Sequence, residues 1–157
     1  MEPFPDDIFN LADIVLRVSR EDPERIAVVD LDGRDGHGRR RYKRHTYAEL
    51  SADVEAVAVG LREMGIAERT RTVFMAPPSY EACVMGVALT RAGAFTIWID
   101  PAVGYRNVAE RLRRVKPEAF VGNALAHIGR ITFGWGPRNL RKLVLTEGPL
   151  LPGGRTI

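Results

Sequence analysis

Several features of specialised proteins are missing from this sequence of 157 residues. It has one cysteine, Cys83, which has no partner for an internal disulfide and no companion for a thiolate metal site. No apolar run approaches the roughly 18 to 20 residues that a membrane-spanning helix needs. The start, MEPFPDD, is acidic and broken by proline, unlike the basic beginning of a signal peptide. These absences predict a cytoplasmic chain without a membrane span.

A large excess of one charge is missing as well. Lysine and arginine number 23 and aspartate and glutamate 20, so the net charge is only +3. That balance creates no strong field for a polyanion, and we expect no nucleic-acid partner. The run Arg39–His45 (RRRYKRH) is a local exception. It is either a phosphate-binding patch with Tyr42 as a stacking aromatic or, as we prefer, a strand exposed to solvent, since charge runs usually lie on solvated faces.

The sequence also lacks the signatures of familiar catalytic sites. It contains no GxxxxGK[ST] phosphate loop, no HExxH, no CxxC and no GxSxG motif. Glycines 33, 36 and 38 precede a basic stretch and do not open a helix, so they do not form a dinucleotide-binding loop. The aspartates at 30, 32 and 35 do not have the spacing of a calcium loop.

Two residues with reactive side chains are expected to be structural. His127 has no second histidine or carboxylate at ligand spacing, and we expect it to be a packing or surface residue. Cys83 lies in a helix beginning after Ser79 that has almost no polar face, and we expect it in the core. Gly86 in the same helix should allow close packing. We therefore expect no catalytic, cofactor-binding or metal-binding residue in this chain.

What the sequence does contain is a clear helix–strand unit at residues 89–101, LTRAGAFTIWIDP. Gly93 stands where a helix end favours a left-handed residue, so Gly93→Val should cost on the order of 1 kcal/mol or more. Phe95–Ile99 is aromatic and β-branched throughout, which predicts a strand covered on both faces of a parallel sheet. Asp100–Pro101 closes that strand.

Helices and strands alternate along most of the remaining chain. Good N-terminal capping residues stand at Asn10, Thr46 (with Glu49 completing a capping box), Ser79 and Asn107. Strands are predicted at Ile26–Leu31, Arg39–His45, Thr72–Met75, Phe95–Ile99, Ala119–Val121 and Lys142–Leu145, with a short helix at Ala124–Ile131. This order predicts an α/β fold: a doubly wound, mainly parallel sheet with helices on both faces, preceded by a β-hairpin.

The alternation also places a candidate ligand site. In doubly wound folds a ligand lies beyond the carboxyl ends of the strands, here near Ala76–Ser79, Asp100–Tyr105 and Gly122–Ala124. The aromatic loop Phe133–Pro137 is either a core plug or part of a ligand wall. No internal domain boundary is visible, and residues 148–157 are predicted to be an irregular tail.

Two stretches resemble the core motifs of the adenylate-forming (AMP-binding) superfamily, which includes acyl-CoA synthetases, luciferases and peptide-synthetase adenylation domains. His45–Leu50 (HTYAEL) and the helix after it resemble the first motif, and residues 89–101 resemble the second. The turn Pro77–Tyr80 between them also matches. Residues 99–127 together with FGWGP at 133–137 are most similar to the bacterial olefin-biosynthesis β-lactone synthetases.

The resemblance implies that residues 1–157 form a partial N-terminal domain of an acid-activating ligase. Such a ligase would use ATP and Mg²⁺ to convert a fatty-acid-derived carboxylate, in the β-lactone synthetases a long-chain 2-alkyl-3-hydroxy acid, into its adenylate. The superfamily's phosphate loop, adenine motif and C-terminal lysine domain are not in these 157 residues. Both matched motifs are chiefly architectural, so we expect this chain alone to be inactive and to depend on the remainder of the ligase. The alternative is a stand-alone α/β binding or interaction module without catalysis.

Overall fold

The computed structural model describes residues 10–99, 105–135, 140, 142–145 and 154–156. Its helices are α1 (Leu11–Glu21), α2 (Tyr47–Glu63), α3 (Tyr80–Arg91), α4 (Tyr105–Val115) and α5 (Ala124–Thr132). Its strands are β1 (Ile26–Arg34), β2 (Arg40–Thr46), β3 (Arg71–Met75), β4 (Phe95–Trp98), β5 (Ala119–Gly122), β6 (Lys142–Leu145) and β7 (Gly154–Thr156). None of the helices in these ranges combines the length and the apolar character that crossing a bilayer requires.

Strands β1 and β2 form the predicted antiparallel hairpin, and the other five strands form one parallel sheet in the order β4-β3-β5-β6-β7. From β3 the chain moves outward to β4 and then returns past β3 to β5. This reversal is the feature that defines a doubly wound sheet, and it confirms the predicted fold class.

Alternation along the central strands divides the core between the two faces of the sheet. Phe74 and Val121 pack with α1, α2 and α3 on one face, whereas Val73 and Phe120 pack with α4 and α5 on the other. Because successive side chains of a strand point to opposite faces, a strand buried on both sides must be apolar at every position. Strand β5 shows this pattern, since all four of its residues are buried.

Local capping begins and ends the helices largely as predicted. Thr46 accepts a hydrogen bond from the Glu49 amide at 3.2 Å, and the Glu49 carboxylate accepts one from the Thr46 amide at 2.8 Å. Asn10 and Asp13 form a second box of this kind. At the other end of α3, Gly93 has a φ of 85° and its amide donates to the Thr90 carbonyl. These contacts satisfy backbone groups that a helix end leaves unpaired.

The structure corrects three expectations. Strand β4 is not covered on both faces: Phe95 and Trp98, which point to opposite faces of the sheet, are 63% and 61% exposed. It is also an edge strand, since β3 is its only partner in the described part of the chain. Asn107 does not cap α4 but lies inside it, since the helix begins at Tyr105. Within the tail predicted to be irregular, Gly154–Thr156 pairs with β6 as a short strand, and the rest of residues 148–157 lies outside the described ranges.

Candidate functional site

A cleft of about 1080 Å³ lies beyond the carboxyl ends of β3, β4 and β5. It is at the edge of the sheet where the winding reverses direction, which is where doubly wound folds bind ligands. Two of the three predicted segments contribute to it, through Ala76–Ser79 and Asn123. Residues 100–104 of the third segment, Asp100–Tyr105, lie outside the described ranges. The residue before this segment, Ile99, lines the cleft.

Two helices begin at the rim of the cleft. The Ser79 hydroxyl accepts a hydrogen bond from the Ala82 amide at 3.1 Å at the start of α3. The side-chain oxygen of Asn123 accepts one from the Ala126 amide at 2.9 Å at the start of α5. Each helix follows its strand after a short turn, so both capping residues stand beside the strand ends.

The walls of the cleft are mostly apolar, and no charged side chain is among them in the described part of the chain. They comprise Phe74, Met75, Ala76, Pro77, Pro78, Ser79, Ala82, Cys83, Trp98, Ile99, Asn123, Leu125, Ala126, Ile128, Gly129, Thr132 and Phe133. A volume of this size, lined by apolar groups with a few polar ones, is typical of sites that bind small organic molecules.

Cys83 is half-buried, whereas the sequence predicted a position in the core. It packs against the core and also lies at the wall of the cleft. Burial raises the pKa of its thiol. Since the thiolate is the nucleophilic form, the shift makes Cys83 less reactive near neutral pH. Its position in the cleft is compatible with contact to an apolar ligand, and its expected role remains that of packing.

The aromatic segment after α5 contributes one ring to the core and one to the cleft; residues 136 and 137 of the predicted loop lie outside the described ranges. Trp135 is 3% exposed and belongs to the core beneath α5. Phe133 stacks on it, with ring centroids 5.7 Å apart, and lines the cleft. The two interpretations left open by the sequence therefore apply to different residues of the same loop.

His127 is a packing residue, as expected, and is only 2% exposed. Its Nε2 lies 2.9 Å from the Val144 carbonyl oxygen, and its ring meets Phe120 edge to face at 5.0 Å. Desolvation lowers the pKa of His127; the hydrogen bond to Val144 opposes this shift, and the charge of Arg130 adds to it. The folded protein therefore resists protonation of this imidazole.

We expect acid to destabilise the protein through His127. Below the unfolded-state pKa of 6.5 the unfolded chain binds a proton that the folded chain does not, so stability falls as pH decreases. A single proton can contribute a slope of at most about 1.4 kcal/mol per pH unit. Urea unfolding at about pH 7.5 and about pH 5.5 measures the effect. Asp30, whose pKa is lowered from 3.8, also loses stabilising interactions in acid, but at pH values below this window.

His127→Gln provides the control, because an amide can still donate to Val144 but does not titrate. The variant should lose less stability between the two pH values than the natural chain does. An equal loss in both proteins would show that another group is responsible.

A cluster that sequence patterns did not indicate joins the hairpin to α2 and α3. The rings of His45 and Tyr80 stack at 3.5 Å, and the Tyr80 hydroxyl donates to Asp53 at 2.7 Å. The Asp30 carboxylate accepts a hydrogen bond from the Tyr80 amide at 3.0 Å. Burial and the bond to Asp53 raise the pKa of Tyr80, so the phenol stays protonated. These contacts hold the hairpin against the helix that begins at the cleft.

The basic run of the hairpin lies on an exposed strand. Tyr42 is 57% exposed, and neighbouring cations pair with hairpin carboxylates, Arg41 with Asp32 at 3.1 Å and Arg39 with Asp35 at 3.2 Å. Of the three aspartates whose spacing does not fit a calcium loop, Asp32 and Asp35 therefore pair with arginines, whereas Asp30 binds the Tyr80 amide. Among the described residues no group of three or more histidine, cysteine, aspartate or glutamate side chains is placed to hold a metal ion.

The described walls of the cleft do not fit a magnesium triphosphate. A site that binds a triphosphate during group transfer needs cationic side chains directed at the phosphate oxygens. It also needs carboxylates that coordinate the metal ion. Among the described residues, the side chains lining the cleft offer hydroxyl, amide and thiol groups, and the rest are apolar. An uncharged organic group is a better match for these walls.

Comparison with known proteins identifies the family. The model of the AMP-binding enzyme family matches residues 15–146. The chain belongs to this family. The olefin β-lactone synthetase of Xanthomonas campestris pv. campestris is 35% identical over 149 residues, which are 94% of this chain and 27% of that protein. The chain thus spans about a quarter of the length of this curated relative.

Solved structures of other proteins share the fold. The luciferase-like enzyme of the mealworm Zophobas morio has a TM-score of 0.71 at 20% identity, covering 99% of this chain and 35% of that one. The N-terminal subdomain of NpsA from Klebsiella oxytoca, in complex with 3-hydroxyanthranilyl-AMSN, has a TM-score of 0.69 at 16% identity, covering 93% and 33%. The resemblance in sequence motifs is therefore confirmed at the level of family and fold.

Proposed function

We propose that this chain acts as the N-terminal portion of an ATP-dependent ligase that activates a fatty-acid-derived carboxylate as its adenylate. The relative from Xanthomonas, 35% identical across 94% of the chain, is the observation that carries the proposal. Because that relative is an olefin β-lactone synthetase, the expected acid is a long-chain 2-alkyl-3-hydroxy acid. We expect the ligase to act in the cytoplasm.

The chemistry of the cleft supports an acyl substrate. The described residues of its walls are mostly apolar and none is charged, so they favour a hydrocarbon chain and offer no counter-charge for phosphate. Burial of each methylene in such walls contributes about 0.8 kcal/mol to binding. On this proposal the cleft holds part of the acyl chain, and residues beyond these 157 bind ATP and Mg²⁺.

We expect the chain by itself to have no ligase activity. Its described residues show no cationic cradle at the cleft. Transferring the adenylyl group of ATP to a carboxylate, with pyrophosphate as the leaving group, would then leave the developing charge unstabilised. Pyrophosphate release should therefore stay at the background of ATP alone when the purified chain receives Mg²⁺ and a fatty carboxylate. Turnover well above that background would overturn the proposal.

A chimaera tests whether the chain is a working part of such a ligase. The matching segment of the Xanthomonas synthetase is replaced by this chain, and the same synthetase with the segment deleted is the control. We expect the chimaera, once shown to melt cooperatively, to release pyrophosphate with a 2-alkyl-3-hydroxy acid, whereas the deletion should not. A folded chimaera without activity would contradict the proposal.

The alternative of a stand-alone interaction module has one observation in its favour. Three apolar side chains of α5 are exposed: Leu125 by 74%, Ile128 by 50% and Ile131 by 63%. Contiguous apolar surface of this kind often marks a contact with another protein. On this alternative the folded chimaera is inactive and the chain alone is a monodisperse protein.

A further inference from the structure

The indole of Trp98 rests directly on the backbone of α3 at Gly86. A Cβ atom built on Gly86 would lie 2.8 Å from Cζ2 of Trp98 and would meet Cη2 as well. Real Cβ atoms do not approach other atoms this closely, so any side chain at position 86 must displace the ring. Glycine weakens a helix interior by roughly 1 kcal/mol relative to alanine, and here its absent side chain makes room for the indole.

A second contact holds the same ring from the sheet. Phe74 in β3 meets Trp98 edge to face, with centroids 4.6 Å apart and planes 89° to each other. The remaining surface of the indole is exposed and forms part of the cleft wall. Trp98 thus contacts a helix and a strand, and it presents an apolar face to the cleft.

We propose that Trp98, seated on Gly86, is the residue that limits the length of the acyl chain bound in the cleft. The inference rests on the proposed function, since it takes the cleft to be an acyl site. Trp98 is the bulkiest side chain on the α3 side of the cleft, and α5 forms the opposite wall through Leu125 and Ile128. Moving the ring toward α5 shortens the available space, and removing the ring lengthens it.

The experiment measures the affinity of the chain for saturated fatty carboxylates of increasing length. Affinity should increase about fourfold with each methylene that reaches buried surface, then level off at the length that the cleft accommodates. In Trp98→Ala this limit should move to longer chains by about two to four methylenes, because the indole leaves a cavity. In Gly86→Ala it should move to shorter chains.

Gly60→Ala is the matched control for Gly86→Ala. Both glycines are inside helices, but a Cβ at Gly60 meets nothing within 4 Å. Gly60→Ala should therefore leave the length limit unchanged. The double variant Gly86→Ala/Trp98→Ala should bind like Trp98→Ala, because without the indole the new methyl group has nothing to displace.

Fluorescence distinguishes contact with Trp98 from an indirect effect. The chain has two tryptophans, and Trp135 is buried beneath Phe133. The Trp135→Phe variant retains only Trp98, and the Trp98→Phe variant retains only Trp135. A fatty carboxylate carrying bromine near its end should quench the tryptophan fluorescence of Trp135→Phe at least twice as strongly as that of Trp98→Phe. Equal quenching, or an unchanged length limit in folded Trp98→Ala, would overturn the inference.

The outcome for Trp98 can be separated from the outcome for the ligase. If fatty carboxylates bind without the expected dependence on residues 86 and 98, the inference fails while pyrophosphate release by the chimaera still stands. If no fatty carboxylate binds the chain although the chimaera is active, the inference fails alone. If neither binding nor activity is found, both fail.

Discussion

Phe120→Ala is expected to lower the free energy of unfolding by about 3–5 kcal/mol. Phe120 is fully buried in β5, which pairs with β3 on one side and β6 on the other. Its ring packs in the cluster beneath α4 and α5 and meets His127 edge to face. Neighbours fixed on three sides cannot collapse into the space, so the loss of the ring leaves a cavity. Urea unfolding of the purified variant measures the loss.

Phe95→Ala is the matched control, since it removes the same side chain from another strand of the same sheet. Phe95 is 63% exposed at the edge strand β4, and we expect its loss to change stability by no more than about 0.5 kcal/mol. A large cost at Phe95 would show that this edge is covered in solution. A small cost at Phe120 would contradict its position in the centre of the core.

Gly93→Val is expected to lower the free energy of unfolding by about 2–5 kcal/mol, from two effects that add. Gly93 has a φ of 85°, a conformation that costs other residues about 1–2 kcal/mol. A Cβ at this position would also lie 3.2 Å from the backbone Cα of Glu68, and such crowding costs about 1–3 kcal/mol. The structure thus adds a steric term to the conformational term that the sequence predicts. The urea midpoint is again the measurement.

Gly38→Val separates the two effects. Gly38 has a φ of 77° in the hairpin turn, but a Cβ there meets nothing within 4 Å. The variant should therefore show only the conformational cost and be clearly less destabilised than Gly93→Val. If both variants lose the same stability, the contact with Glu68 contributes nothing. An unchanged midpoint in Gly93→Val would mean that the helix ends elsewhere.

Most helices and strands were predictable because their signals are local. The capping boxes at Asn10 and Thr46 and the glycine after α3 act over three or four residues, and the structure forms the contacts that these residues imply. Asn107 shows where such signals are insufficient. Its side chain suits a cap, but α4 begins two residues earlier at Tyr105.

The place of the candidate site was also predictable, whereas its lining was not. Strand–helix alternation puts the cleft at the carboxyl ends of β3 and β5 by a general rule. The contact between Trp98 and Gly86 joins β4 to α3, and only Gly86 carried a sequence signal, as a glycine in a helix with little polar surface. The stack of His45 on Tyr80 joins residues 35 positions apart and has no local signature.

The amino-acid sequence alone determined the family, the order of helices and strands and the doubly wound topology, because motifs, caps and apolar patterns act within short stretches of chain. The tertiary structure decided which apolar strand is central and which lies at an edge. Phe95–Ile99 and Ala119–Val121 look alike as sequence, but among the described strands only the second has a neighbour on each side. Burial depends on what packs against a strand, and the positions of its neighbours come from residues far along the chain.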